Sequence, residues 1–191
     1  MPEKDINIKQ SDSELMRRIC NADKKAFDEI YNRYSRRLMY YFYRMLGNSR
    51  EVAEDFLQDI FYKIIDKPHL YNPGQPFSTW LFSIANNMCK NEYRRRAVRK
   101  NTLSVDNVNS LQADNESVPE NQGLAEVIYN ELDNLGESHK TVFILRYREG
   151  FQLNEISEIL NLPEGTIKSR LYYARQMLAL RLKKRSELIE F

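Results

Sequence analysis

Apolar side chains along this chain recur at spacings of three and four residues, and nowhere in sustained alternation. Phe27, Ile30, Tyr31, Tyr34, Leu38, Phe42, Met45 and Leu46 follow a repeat of about 3.6 residues, and Gly47-Asn48 supplies a stop signal. Ala53, Leu57, Ile60, Phe61 and Ile64 predict a second helix over about 49–66, ended by Pro68, which has no N–H to continue it. Tyr71-Asn72-Pro73-Gly74-Gln75-Pro76 reads as a turn-rich loop. A third helix starts near Ser78 with Phe77, Trp80, Leu81, Ile84, Ala85 and Met88 on its apolar side, and it ends in Arg94-Arg95-Arg96 and Arg99-Lys100.

Residues 101–122 are polar, aperiodic and rich in Asn, Ser, Asp and Gln, and read as a linker. Helical periodicity resumes over about 124–134, 139–148, 153–160 and 164–184. The expected fold is therefore all-α: two small helical domains, 1–100 and 123–191, joined by a flexible acidic linker over 101–122. Fully extended, such a linker would reach roughly 70 Å. Tyr40, Tyr41 and Tyr43 beside Phe42 cannot all face one core at helical spacing, so some are expected to be exposed, at a partner surface or near unstacked bases.

The segment 153–178 has the layout of a helix-turn-helix. Ile156, Ile159 and Leu160 would pack inward from the first helix, Ile167, Leu171 and Ala174 from the second, across a break at Asn161-Leu162-Pro163. The second helix would then expose Lys168, Ser169, Tyr172, Tyr173 and Arg175, side chains that suit base edges and phosphates in a major groove. An ordinary helical hairpin with a wet face is the alternative. A solvated face normally mixes signs, whereas no acid occurs from Thr166 to Arg185 among seven cations, which favours DNA.

Two further faces have distinct chemistry. Opposite its core stripe the third helix carries Ser83, Asn86, Asn87, Lys90, Asn91 and Arg94, without an acid. Amides both donate and accept, as base edges do, and cations suit phosphates. Asn is a weak helix former, so three of them in one helix argue against mere solubility. The second helix instead presents Asp55, Gln58, Asp59 and Tyr62. That face is unsuited to phosphate, and the residues alone leave it as either solvent surface or a protein-docking site.

Composition narrows the classes further. The 191 residues contain 29 Lys+Arg, 27 Asp+Glu, two His and two Cys, with 42% hydrophobic residues, so the chain is neither wholly disordered nor larger than one or two domains. The net charge of +2 hides an asymmetry: +6 over 1–100, −8 over 101–137 and +4 over 138–191. Two basic blocks suit a polyanion. No apolar run reaches the ~18 residues that mark a membrane span, so no membrane insertion is expected. The charged start, Met1 to Gln10, has no apolar stretch of a secretory signal, and Cys20 and Cys89 form no disulfide framework, so the cytoplasm is the expected compartment. Cys20, His69, Cys89 and His139 have no zinc spacing, and the scattered glycines form no phosphate-binding loop. No metal, no cofactor and no catalytic residue is expected.

Together these stretches resemble the extracytoplasmic-function (ECF) type of bacterial RNA polymerase sigma factor, from about Asp12 to Lys184. The resemblance rests on Ala26-Phe-Asp-Glu-Ile-Tyr, Ala53-Glu-Asp-Phe-Leu-Gln-Asp-Ile-Phe, Phe77-Ser-Thr-Trp-Leu-Phe-Ser-Ile-Ala-Asn-Asn with the basic run after it, and Gly165-Thr-Ile-Lys-Ser-Arg-Leu. It implies an alternative sigma factor that binds core RNA polymerase and directs promoter-specific initiation. The first domain would read and melt the minus-ten element, with Asp55, Gln58, Asp59 and Tyr62 docking on the β′ clamp helices. Asn87 would read a flipped base, the 71–76 loop (Tyr71, Asn72 and Gln75 among it) would make its pocket, and Ser83, Asn86, Lys90, Asn91, Arg94, Arg95 and Arg96 would line the DNA path. The second domain would dock on the β flap and read the minus-thirty-five element with Thr166, Lys168, Ser169, Tyr172 and Tyr173, while Arg170 and Arg175 support phosphates or the fold. Partners implied are core polymerase, promoter DNA both duplex and melted, and an anti-sigma factor. A free-standing dimeric regulator would leave the Asn87 stripe and the Asp55 face without a role. Departures from the pattern are Leu135-Gly136, Tyr173, and the two prolines that stiffen the 71–76 loop.

Overall fold

The computed structural model describes residues 10–102 and 124–187, all but the connections and turns of which are helical. The elements are α1 (Asp12–Ile19), α2 (Lys24–Met45), α3 (Arg50–Asp66), a single 3-10 turn (Pro68–Leu70), α4 (Phe77–Thr102), α5 (Leu124–Leu132), α6 (Glu137–Phe143), a π turn (Ile144–Arg148), α7 (Leu153–Leu160) and α8 (Glu164–Glu187). No strand occurs among the described residues. The linker expected over 101–122 lies, from residue 103 on, outside them.

In the N-terminal unit α2 is the central helix, flanked by α1, α3 and α4. Its start is capped by Asp23, which accepts from the Lys25 and Ala26 amides. Its end turns on Gly47 in the left-handed region, where the Asn48 amide closes on the Tyr43 carbonyl and satisfies one of the last free carbonyls. Helix α1 does not stand out in the apolar pattern, yet it has a local logic. Ser11 accepts from the Glu14 amide, and Leu15, Met16 and Ile19 are buried. Asp12 then ties α1 to α2 through Arg33 at 2.6 Å and through the Tyr34 hydroxyl.

In the C-terminal unit α8 carries the packing of α5, α6 and α7. Ile156, Ile159, Leu160, Ile167, Leu171 and Ala174 are all buried, as the helix-turn-helix pattern predicts. Asn161 takes the left-handed conformation that lets α7 stop and the chain reverse. The helix expected over 139–148 is divided. Beyond Phe143 it loosens into the π turn, where the Glu149 amide reaches back to the Ile144 carbonyl, and Gly150 at φ +80° completes the bend. No feature of the apolar pattern announces that π turn; its consequence is that Glu149 and Phe151 point toward the N-terminal unit.

The two units pack on each other. Phe151 meets Phe82 of α4 edge-on at 5.0 Å, and Arg37 of α2 donates to the Glu149 carboxylate at 2.8 Å and to its carbonyl at 3.1 Å. Asp133 accepts from Asn48 at 2.5 Å, with Arg44 3.7 Å away. Tyr40 lies against Tyr129, under the Arg148 guanidinium. This packing corrects the expectation for the tyrosine run. None of Tyr40, Tyr41 and Tyr43 is exposed, because α2 is covered on one side by its own unit and on another by the C-terminal one.

Candidate nucleic-acid and polymerase interfaces

Three faces carry the residues singled out by chemistry. On α3 the residues Asp55, Gln58, Asp59 and Tyr62 are all exposed, Tyr62 by 68%. Helix α3 sets them outward because Ala53, Ile60, Phe61 and Ile64 occupy the buried side. Ile65, also exposed, prolongs the same stripe by a turn; the apolar periodicity hides it, since Ile64 next to it is core.

On α4 the expected stripe divides. Asn87, Lys90, Asn91, Arg94 and Arg95 are exposed. Ser83 is half-buried, and its hydroxyl donates back to the Trp80 carbonyl at 2.7 Å. Asn86 is a correction: it is only 2% exposed, and its amide nitrogen has no hydrogen-bond partner among the described residues. Counting by helical turns, Thr79, Phe82, Asn86 and Lys90 form one edge of α4, and α7 packs along this helix. Phe82 there touches Phe151, the Thr79 hydroxyl is likewise buried without a partner, and Lys90 feels the Arg170 cation of α8. Partial burial first, then Arg170 and Arg94, push the Lys90 ammonium below its ordinary pKa. Arg96, expected near phosphate, instead donates to the Leu46 carbonyl at 3.1 Å and pairs with Glu92 at 2.9 Å, so it serves the end of α2.

The 71–76 loop is tightly turned. The Gly74 amide donates to the Asn72 side chain at 2.9 Å, and the Gln75 amide to the Asn72 carbonyl at 3.1 Å. Asn72, Pro73 and Gly74 are exposed at its tip, and Gln75 is half-buried. Tyr71 is a second correction: it is 6% exposed, its ring set against Phe77 and Trp80, and so it is no contact residue as the loop stands.

On α8 the residues Lys168, Ser169, Tyr172, Tyr173 and Arg175 are exposed along one helix, while Thr166 and Arg170 are half-buried. Several are already engaged lightly: Lys168 lies 3.8 Å from Glu164, Ser169 donates to the Gly165 carbonyl at 3.0 Å, and Gln176 donates to the Tyr172 hydroxyl at 2.6 Å. Exposed side chains held only by such local bonds can be re-aimed at base edges at little cost. Among the described residues no group of His, Cys, Asp and Glu could hold a metal ion, and no helix is long and apolar enough to cross a membrane.

Residues 30–99 match the sigma-70 region 2 family and residues 125–178 the sigma-70 region 4 family. The ECF RNA polymerase sigma factor SigW of Bacillus subtilis is 30% identical over 88% of this chain and 95% of its own length. The chain belongs to the ECF family of RNA polymerase sigma factors. An ECF sigma-E factor of Haemophilus influenzae is 31% identical over 88% of this chain and 93% of that one. In fold the chain is similar to the sigma factor RpoE solved in complex with the anti-sigma factor NepR from Bartonella quintana, with a TM-score of 0.71 at 24% identity over 83% of this chain and 98% of that one. It is similar also to CnrH in complex with the cytosolic domain of CnrY, with a TM-score of 0.68 at 24% identity over 92% and 99%. As an ECF sigma factor the chain binds core RNA polymerase and promoter DNA and directs promoter-specific initiation of transcription.

Proposed function

We propose a division of that work between the two units. The N-terminal unit, taken as 1–100, docks on the β′ clamp helices through Asp55, Gln58, Asp59 and Tyr62, and reads and melts the minus-ten element with α4 and the tip of the 71–76 loop. The Asn87 carboxamide pairs with the edge of an unstacked base, and Lys90, Asn91, Arg94 and Arg95 hold the phosphates beside it. The C-terminal unit, taken as 123–191, docks on the β flap and lays α8 into the major groove of the minus-thirty-five element. There Lys168, Ser169, Tyr172 and Tyr173 face the bases and Thr166, Arg170 and Arg175 the backbone. An anti-sigma factor is a further partner, a reading supported by the sigma factor of like fold solved in complex with the anti-sigma factor NepR.

One observation carries this reading: exposed cations and amides line α4 in one unit and exposed cations line α8 in the other, whereas α3 exposes an acidic face. Phosphate would be repelled by α3 and attracted by the other two, so one chain has separate surfaces for protein and for nucleic acid. Two promoter boxes about two helical turns apart lie roughly 70 Å from each other, whereas Lys90 and Arg170 interact electrostatically within the packed chain. Reading both boxes therefore requires the units to part.

The test is the Asp59→Lys variant in a binding assay with purified core polymerase. A loss of affinity of at least tenfold, with the melting temperature preserved, is the expected result. Unchanged core binding would remove α3 from the docking surface. Duplex binding by the chain alone, as a dimer and with no effect on polymerase, would replace the whole reading with that of a free-standing regulator.

A further inference from the structure

The chemistry at Tyr71 is not that of a residue waiting for a ligand. Its hydroxyl lies 2.9 Å from the Gln75 carbonyl and 2.8 Å from the Ser13 hydroxyl. A carbonyl only accepts, so the single phenolic proton goes to Gln75. The Ser13 hydroxyl must then donate to Tyr71, which fixes the direction of a chain: Ser13 to Tyr71 to the Gln75 carbonyl. In such a relay each bond polarises the next, and Tyr71 at its centre is buried while Ser13 and Gln75 are half-buried.

Each end of the relay is anchored. The Tyr71 ring is locked by edge-on contact with Phe77 at 5.4 Å and by Trp80 at 5.3 Å. Phe77 is itself against Tyr34, whose hydroxyl binds Asp12, the first residue of α1. Asp12 is paired with Arg33 of α2. Helix α1 is thus fastened to the body of the unit beside Ser13. At the far end, Gln75 closes the turn that Asn72 starts, so that Asn72, Pro73 and Gly74 form the exposed tip. The relay spans 58 residues of sequence between Ser13 and Tyr71 and joins an N-terminal helix to the tip of a loop it does not cover.

We infer that Tyr71 and Ser13 are positioning residues: together they brace the 71–76 loop from α1 so that its tip holds one shape for an extruded promoter base, and neither touches the DNA. The inference rests on the proposed minus-ten reading. A loop that must accept one base and refuse three others gains selectivity from rigidity, because a mobile pocket adapts to the wrong base at small cost. The same logic gives α1 a part in promoter choice although it presents nothing to the DNA.

The experiment uses the full chain with core polymerase and four promoters that differ only in the base presented to the loop. Tyr71→Phe keeps the ring packing and deletes both hydrogen bonds. Ser13→Ala, on the partly exposed side, deletes one and leaves the core intact. The expected result is a fall of about fivefold in the ratio of initiation between the preferred and the worst base for Tyr71→Phe, and a smaller fall for Ser13→Ala. The double variant should be no worse than Tyr71→Phe alone, and core polymerase binding should be unchanged in all three. Asn87→Ala is run beside them. If Asn87→Ala flattens the preference and Tyr71→Phe only lowers the melting temperature, the brace is wrong and the minus-ten reading survives. If neither alters the preference, the base-reading role of this region falls, and the brace with it.

Discussion

The two helices proposed to read DNA, α4 and α8, belong to units that differ in how they are packed. Helix α4 belongs to the unit that supplies most of the main core, with Tyr41, Phe42, Leu81 and Phe82 fully buried, and α7 packs against this helix. Helix α8 belongs to a unit whose Ile156, Ile159, Leu160, Ile167 and Leu171 join that same core and which keeps a small separate cluster of Leu132, Leu135, Ala174 and Leu178, and the face of α8 proposed to read DNA is open. The smaller unit completes its burial by leaning Phe151 on Phe82 and Glu149 on Arg37. Both faces proposed to read DNA stand open in the packed chain, with Asn87, Asn91, Arg94 and Arg95 exposed on α4 and Lys168, Ser169, Tyr172 and Tyr173 on α8; Lys90 and the half-buried Arg170 are the groups that the packing brings into each other's field.

The largest expected effect breaks the comparison at its stable end. Phe42→Ala should cost about 3–5 kcal/mol, because a fully buried ring leaves a cavity that a rigid four-helix core cannot fill. Denaturant melts should show the whole transition displaced. Leu178→Ala, in the small cluster, should cost about 2 kcal/mol and leave the N-terminal unit folded.

Next in size is the join between the units. Glu149 has only 3% of its side chain exposed, so Arg37→Ala would leave a carboxylate buried without its partner. We expect the packed form to weaken by about 1–3 kcal/mol, read as a larger radius in small-angle scattering and as faster association with core polymerase. The smallest effect is that of pH. Burial, opposed by Arg37, raises the Glu149 pKa above the ordinary carboxylate value. The packed form then binds the proton more tightly than the parted one. Packing should strengthen as pH falls through the range just above the ordinary glutamate value, and this contribution should be lost as pH rises through the packed-state pKa. Scattering between pH 4 and 7 would show it, and Glu149→Gln should abolish the trend.

Periodicity made α2, α3, α4, α7 and α8 legible, because each has a one-sided apolar stripe that burial confirms. It missed α1, whose eight residues are too few for a convincing repeat, although Ser11 followed three residues later by Glu14 is a capping signal. The π turn at Ile144–Arg148 was unreadable, since its apolar residues suit an α-helix equally well. The face chemistry was legible wherever a helix has one exposed side. It failed at Asn86 and Tyr71 for a common reason: both are polar in composition but are covered through tertiary contacts, Asn86 on the edge of α4 along which α7 packs and Tyr71 among Phe77 and Trp80. Likewise Arg37, Asp133 and Glu149 look like ordinary surface charges until the second unit is in place.

The most direct test of the account is transcription by core polymerase reconstituted with this chain on a promoter library, with the start sites mapped. Starts preceded by two shared boxes are expected, with Asn87→Ala erasing selection at the nearer box and Lys168→Ala at the farther one. Starts that ignore both substitutions, or the absence of any second box, would contradict it.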